Sequence, residues 1–416
     1  MECQKLILFS DVNMRKGIKV VDIIMLSTFF LYPLIFMGAE IKIFNSTRFV
    51  WGVILPVLCL WLTFNYRKYD IKSALRFMLP FTPILFSATI LSIYHHSSIE
   101  MESMSKLIIL CVAFGALVVV YPARTLYAVN SIFCIATLFW MAFNVHLYGL
   151  GVPTDAFNGV LNINIVYPMI VMMSGVSCLA SQKSMGREKY FHVISGLAGL
   201  CAVILTQARG GLVDIIVLLV FFFSVTKIHL KLKILILLLM LAVCSGYMYV
   251  TDGYHGKIMK IFTEIPLWFE GKEQSSSIGA RFSLWYAGLV DIFPRFPWMG
   301  TGVKLGNLAE ITKLVSLTER PGWEITSFAH FHNDFVHMLV RGGIIYLVSG
   351  VLSLALLIAK YKSHVIILWM ITCAVVTGMT DIFYFHTRSF IFFTMILALM
   401  DAEIHRIGKV KLGLET

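Results

Sequence analysis

Long apolar runs separated by short polar breaks make up most of this chain. A helix needs roughly 20 apolar residues to cross the hydrocarbon core of a bilayer. Twelve runs meet that measure, at about 19–38, 47–64, 74–94, 104–121, 124–147, 158–180, 189–206, 210–226, 232–250, 335–359, 364–379 and 383–401. The breaks at 121–124 and 207–211 are short. They are kept because Pro122 and the pair Gly210 and Gly211 interrupt helices, and an unbroken run would far exceed bilayer thickness. The rhythm fails only over residues 251–331, a polar stretch between the ninth and tenth runs. Within it Phe282, Trp285, Leu289 and Ile292 recur at helical spacing, which predicts a helix starting near Ser277 with a Ser/Gly-rich cap. The expected architecture is an all-α polytopic membrane protein of about 12 transmembrane helices. It forms one domain over residues 1–416, with 251–331 as a partly helical loop inside it.

Composition agrees with the pattern. The chain is 58% hydrophobic and 14% charged, with a mean hydropathy of +0.83, against about 45–50% and about 25% for soluble domains. A soluble fold is excluded. The net charge of +11 does not point to nucleic acid, because the basic residues sit in short clusters between apolar runs. Of the eight cysteines, seven lie inside those runs, none lies in the long loop, and no CxxC occurs. Buried small hydrophobes explain them better than disulfides or metal ligands. The N-terminal residues lack a small-residue cleavage site, so the first run is expected to be retained.

Charge also orients the spans. Taken alternately, one set of short loops holds the N-terminus, Arg67, Lys68, Lys72, Arg76, Arg124, Lys183, Arg187, Lys189, Lys227, Lys231, Lys233, Lys360, Lys362 and the basic tail. The other set is poorer in Lys and Arg. The basic set is cytoplasmic by the positive-inside rule, which puts both termini inside. The long loop, Arg209, the histidines at 330 and 332, and the connection from Asp381 to Arg388 then share the outer face. Four separate stretches of sequence meet there.

Each residue on that face has a bland reading beside a chemical one. Arg209 is either a snorkelling anchor or a phosphate ligand, with Gly210 and Gly211 leaving room for close approach of the phosphate. Arg281, in the first turns of the expected helix, is either a rim ion-pairing residue or an anion ligand helped by nearby backbone N–H groups. His332 is a general base at the water–membrane boundary or a histidine bonded to loop backbone, and His330 more readily the latter. A zinc site would need more than these two histidines, with Asp334 and His337 as the nearest recruits. Asp381 and Arg388 could simply pair, or Asp381 could hold His332 or Arg281. Asp214, Asn162 and Asn164 are further polar residues of the spans. No P-loop, GxGxxG or outward DxD is present. An enzyme on the outer face has no nucleotide supply, so its donor must arrive activated, and a lipid-linked diphosphate suits two arginines.

Four ordered elements, TQARGG at 206–211, GARFSLWYAGLVDIFPRFPWMGTG at 279–302, HFHNDFVHMLVRGG at 330–343 and GMTDIFYFHTRS at 378–389, resemble the O-antigen ligases of lipopolysaccharide assembly. These form a wider group with O-antigen polymerases and O-linked oligosaccharyltransferases. One departure concerns the glycines after the histidine element: Gly343 is present, but Tyr346 stands where a second glycine is often found. The resemblance implies a GT-C-like glycosyltransferase of the bacterial inner membrane, acting on its periplasmic face. It implies transfer of O-antigen from undecaprenyl diphosphate to lipid A–core, with inversion and with neither metal nor other cofactor. Carried over by position, Arg209 and Arg281 bind the donor diphosphate, and His332 and Asp381 are catalytic. His330, Asn333, Asp334 and Arg388 are possible supporting residues. The rival readings are an O-antigen polymerase, a protein oligosaccharyltransferase and a non-enzymatic transporter of lipid-linked glycan.

Overall fold

The computed structural model describes residues 20–38, 50–97, 99–120, 125–148, 163–182, 184–205, 209–225, 263–272, 276–303, 308–318, 330–383 and 387–411, with a few isolated positions between 231 and 242. Among these residues every regular element is helical. The order is α1 (Val20–Gly38), a π-turn Val50–Ile54 leading into α2 (Leu55–Asn65), α3 (Ile71–Met78), α4 (Thr82–Tyr94), α5 (Ile99–Val120), α6 (Thr125–Tyr148), α7 (Ile163–Ala180), α8 (Gly186–Leu205) and α9 (Arg209–Val225). After the polar stretch begins come α10 (Ser277–Tyr286), α11 (Leu308–Val315), α12 (Asp334–Tyr361), α13 (Val365–Thr380) and α14 (Thr387–Lys411). Helices occupy eleven of the twelve expected runs, and the ninth, 232–250, lies largely outside the described residues. Among the described residues, four stretches are long and apolar enough to cross a membrane: Val50–Lys68, Ile71–Tyr94, Gly186–Leu205 and Asp334–Tyr361.

The core is centred on α7, which packs against α6, α8, α9, α13 and α14. Its residues Met169, Ile170, Val171, Met172, Met173 and Val176 are all buried, as expected of a helix that is apolar all round. Small residues let the neighbours come close. A Cβ on Gly175 would stand 2.0 Å from the indole nitrogen of Trp369, and one on Gly199 would stand 2.1 Å from the Ser174 hydroxyl. The Trp369 indole donates to the Met172 carbonyl at 3.0 Å, fixing α13 on α7.

α8 is described to Leu205 and α9 from Arg209, with 206–208 outside the described residues. The glycines sit in the first turn of α9 instead of interrupting a helix. The N–H groups of a first turn have no intrahelical partner in any case.

The tenth run is one helix with a break of its own. Gly343 in α12 has φ 66° and ψ −164°, a conformation open to glycine alone. Backbone from the polar stretch fills the break: Ile344 N–H donates to Pro297 O at 2.8 Å, Thr301 N–H to Val340 O at 2.9 Å, and Gly302 N–H to Arg341 O at 2.9 Å. Backbone groups at membrane depth must find such partners. A Cβ on Gly343 would meet the Trp298 carbonyl at 2.3 Å. Close packing at this point rests on Gly343, and Tyr346, fully buried against Gly342, does not prevent it. His95, at the end of α4, bonds the Met299 carbonyl from the other side at 2.8 Å.

Candidate active site

The start of α12 is stapled to the end of α13. Asn333 is the N-cap, its Oδ1 accepting from Phe335 N–H at 2.9 Å and Val336 N–H at 3.1 Å. The same side chain donates through Nδ2 to the Met379 carbonyl at 2.9 Å. The buried Asp334 carboxylate accepts from Phe383 N–H at 3.1 Å. Gly378 leaves the space for it, since a Cβ there would lie 2.4 Å from Asp334 Oδ2. Asn333 and Asp334 thus bind two helix ends together, which brings residue 381 beside residue 332.

The polar stretch supports this junction from above. Leu284, Ala287, Ile292, Leu314, Phe331, Val336 and Val340 form a small apolar cluster separate from the main core. Trp285 donates its indole N–H to the Phe331 carbonyl at 2.9 Å, holding the segment between the two histidines.

At the junction His332 adopts φ 49°, a left-handed conformation unusual for a residue other than glycine. It turns the ring onto Asp381: His332 Nδ1 lies 3.0 Å from Asp381 Oδ1. His330 Nδ1 is 3.8 Å from the same oxygen and accepts the His332 backbone N–H at 3.2 Å. The two imidazoles are 4.0 Å apart between centroids. Asp381 is buried and its Oδ1 also accepts Ile382 N–H at 2.8 Å. Burial opposes its ionisation most strongly. The His332 hydrogen bond and the positive influence of His332, His330 and Arg281 together outweigh burial and hold the carboxyl below its usual range. An ionised Asp381 only accepts hydrogen bonds, so His332 Nδ1 is the donor, and whenever the ring is neutral its lone pair sits on Nε2. That is the arrangement of a base oriented by a carboxylate.

Arg281 lies in the second turn of α10, half-buried and near enough to Asp381 to influence its ionisation. The helix begins where the spacing predicts, with Ser276 Oγ accepting Gly279 N–H at 3.1 Å. Its N-terminus, however, is occupied by protein. The buried Glu264 carboxylate accepts Ile278 N–H at 3.3 Å. The expected contribution of those N–H groups to anion binding is therefore lost, and an anion near Arg281 would rely on the guanidinium.

Arg209 opens α9 and Arg388 lies in the first turn of α14, but their side chains are outside those described, as are Asn162 and the side chain of Asn164. Asp214 is buried in α9 and accepts from Thr377 of α13 at 3.0 Å, away from solvent. The glycine pair after Arg209 has a different purpose from the one expected. A Cβ on Gly210 would lie 2.2 Å from the Tyr167 hydroxyl, and one on Gly211 would lie 3.3 Å from the Tyr167 ring. The space is filled by tyrosine, not left for phosphate. Tyr167 carries no sequence signal beyond being a tyrosine within an apolar run.

His330, His332 and Asp381 could present three ligand atoms within 4.8 Å of one another, a spacing suited to a metal ion. Some of these atoms are already engaged: His332 Nδ1 donates to Asp381, and His330 Nδ1 accepts from backbone. Neither Asp334 nor His337 belongs to this cluster.

The sequence model of the family described as O-Antigen ligase matches residues 194–351, from α8 into α12. That stretch contains Arg209, Arg281, His330 and His332, while Asp381 lies beyond it. No curated protein matches the chain. Over residues 194–351, the chain is thus similar to the O-antigen ligase family.

Proposed function

We propose that this membrane enzyme transfers O-antigen polysaccharide from undecaprenyl diphosphate to a sugar hydroxyl of lipid A–core. Transfer would take place on the periplasmic face of the inner membrane, in a GT-C-like bundle of about 12 spans with both termini cytoplasmic. The observation that carries the reading is the His332–Asp381 hydrogen bond of 3.0 Å, a base and its orienting carboxylate at one end of the helical bundle. Its support is the family match together with the clustering of charged residues at that end.

In this reading, the acceptor hydroxyl loses its proton to His332 Nε2 as its oxygen attacks the anomeric carbon. The bond from that carbon to the diphosphate oxygen breaks, and undecaprenyl diphosphate leaves with the electron pair. Asp381 stabilises the imidazolium that forms, a form of catalysis that typically supplies about 10²–10⁴-fold. Arg209 and Arg281 neutralise charge growing on the leaving diphosphate, each by a few kcal/mol at most. Attack opposite the leaving group inverts the anomeric carbon. Asn333 and Asp334 hold the base and the carboxylate in register, and Arg388 is a supporting cation.

An O-antigen polymerase shares this donor chemistry, so the acceptor decides between them. Deleting the gene should leave bare core with polymeric lipid-linked O-antigen accumulated. Core carrying a single repeat would mean polymerase instead. His332→Ala should abolish transfer while folded protein persists in the membrane, and unchanged glycan attachment would remove the proposed base.

A further inference from the structure

Tyr167 connects the two halves of the site without belonging to either. It lies on α7 and is 2% exposed. Its ring covers the first turn of α9, so near that a Cβ on Gly210 would stand 2.2 Å from the hydroxyl and 2.8 Å from Cζ. Gly211 is confined on the same side by Val203 and by the ring. The phenol meets the Thr380 side chain, the residue before Asp381, and lies within electrostatic range of Asp214, Asp381 and Arg281. One turn deeper, the Thr377–Asp214 hydrogen bond of 3.0 Å joins α13 to α9 directly.

We propose that Tyr167 is a positioning residue, setting the Arg209 end of α9 against the Thr380–Asp381 end of α13. The ring fixes where α9 begins, which requires glycine at 210 and 211. The hydroxyl fixes where α13 ends. Both groups that the reaction needs, a cation for the diphosphate and a carboxylate for the base, are thereby referred to one rigid side chain on the central helix. The inference rests on the functional reading of Arg209 and of the His332–Asp381 pair.

The test is a double-mutant cycle on the full-length enzyme purified in detergent, with Tyr167→Phe, Gly210→Ala and the pair. Donor KM and kcat per folded molecule are read with lipid-linked glycan, and thermal stability is read without turnover. Gly210→Ala should raise donor KM about tenfold or more by displacing the Arg209 turn, given how steeply rate depends on placement. Tyr167→Phe keeps the ring and should leave donor KM within about twofold while lowering kcat, because only the tie to Thr380 is lost. Combining them should recover part of the KM and of the stability lost in Gly210→Ala, since the nearest clashing atom is gone. Equal cost of Gly210→Ala in the Tyr and Phe backgrounds overturns the proposal. So does an effect confined to the yield of folded enzyme, which a purely structural tyrosine would give. Full activity of His332→Ala would defeat the functional reading alone, and the stability cycle would still decide the packing of Tyr167.

Discussion

His332 donates to the Asp381 carboxylate across 3.0 Å although 49 positions separate them in the chain. The contact exists because Asn333 and Asp334, the next two residues, bond Met379 in the last turn of α13 and Phe383 just beyond it. His332 and the two residues that align it with Asp381 occupy three consecutive positions.

Asp381→Asn should keep the fold and lower kcat by about 10²–10⁴-fold, because an amide neither fixes the His332 tautomer nor stabilises the imidazolium. Donor KM should change little. A kcat within a few-fold of the parent enzyme would mean that the carboxylate plays no part in proton transfer.

The same carboxyl predicts an acid limit to stability. Its pKa is lowered in the folded protein, so it contributes stability that is present above the unfolded value, about 4. That contribution is lost as pH falls through the lower folded value. Thermal unfolding of the parent enzyme and of Asp381→Asn, followed downward from about pH 5, should show the difference between them shrinking with acid. A difference independent of pH would show that Asp381 stabilises by some route other than its charge.

Asn333→Ala removes the cap of α12 and the tie to Met379 together. Loss of a cap costs about 0.5–2 kcal/mol, so the unfolding temperature should drop and transfer should weaken with it. Asn333→Asp keeps the acceptor for Phe335 and Val336 but loses the donor to Met379, and should fall between the two. Equal stability of all three proteins would show that the staple contributes nothing.

Gly343→Ala places a Cβ 2.3 Å from the Trp298 carbonyl at φ 66°, and strained conformations of this kind cost on the order of 1–3 kcal/mol. Gly52→Ala is the control, with nothing within 4 Å of its Cβ. Differential scanning fluorimetry should separate the two variants clearly, and matching values would count against the interlock of α12 with residues 297–302.

Chelation should leave transfer unaffected, since His332 Nδ1 is engaged by Asp381 and His330 Nδ1 by the His332 backbone. Dialysis against EDTA followed by an activity assay checks this. Activity that vanished and returned with a divalent ion would turn the triad into a metal site.

Hydrophobic periodicity on its own determined that the protein is helical, where nearly all the helices lie, and that one polar stretch is exceptional. Those features follow from local sequence, because a run of apolar residues must bury itself and must pair its backbone internally. The start of α10 at Ser277 was legible for the same reason: a cap is a local signal. Tertiary structure alone decided which polar residues meet. Asp381 had equal reason to pair with Arg388 or Arg281 as with His332, and the stapling of α12 to α13 is what sets it 3.0 Å from His332. It also reassigned two apparent anion sites, giving the glycines after Arg209 to Tyr167 and the N-terminus of α10 to Glu264. Contacts of this kind join helices far apart in sequence, and the spacing of residues along one helix carries no record of what packs against it.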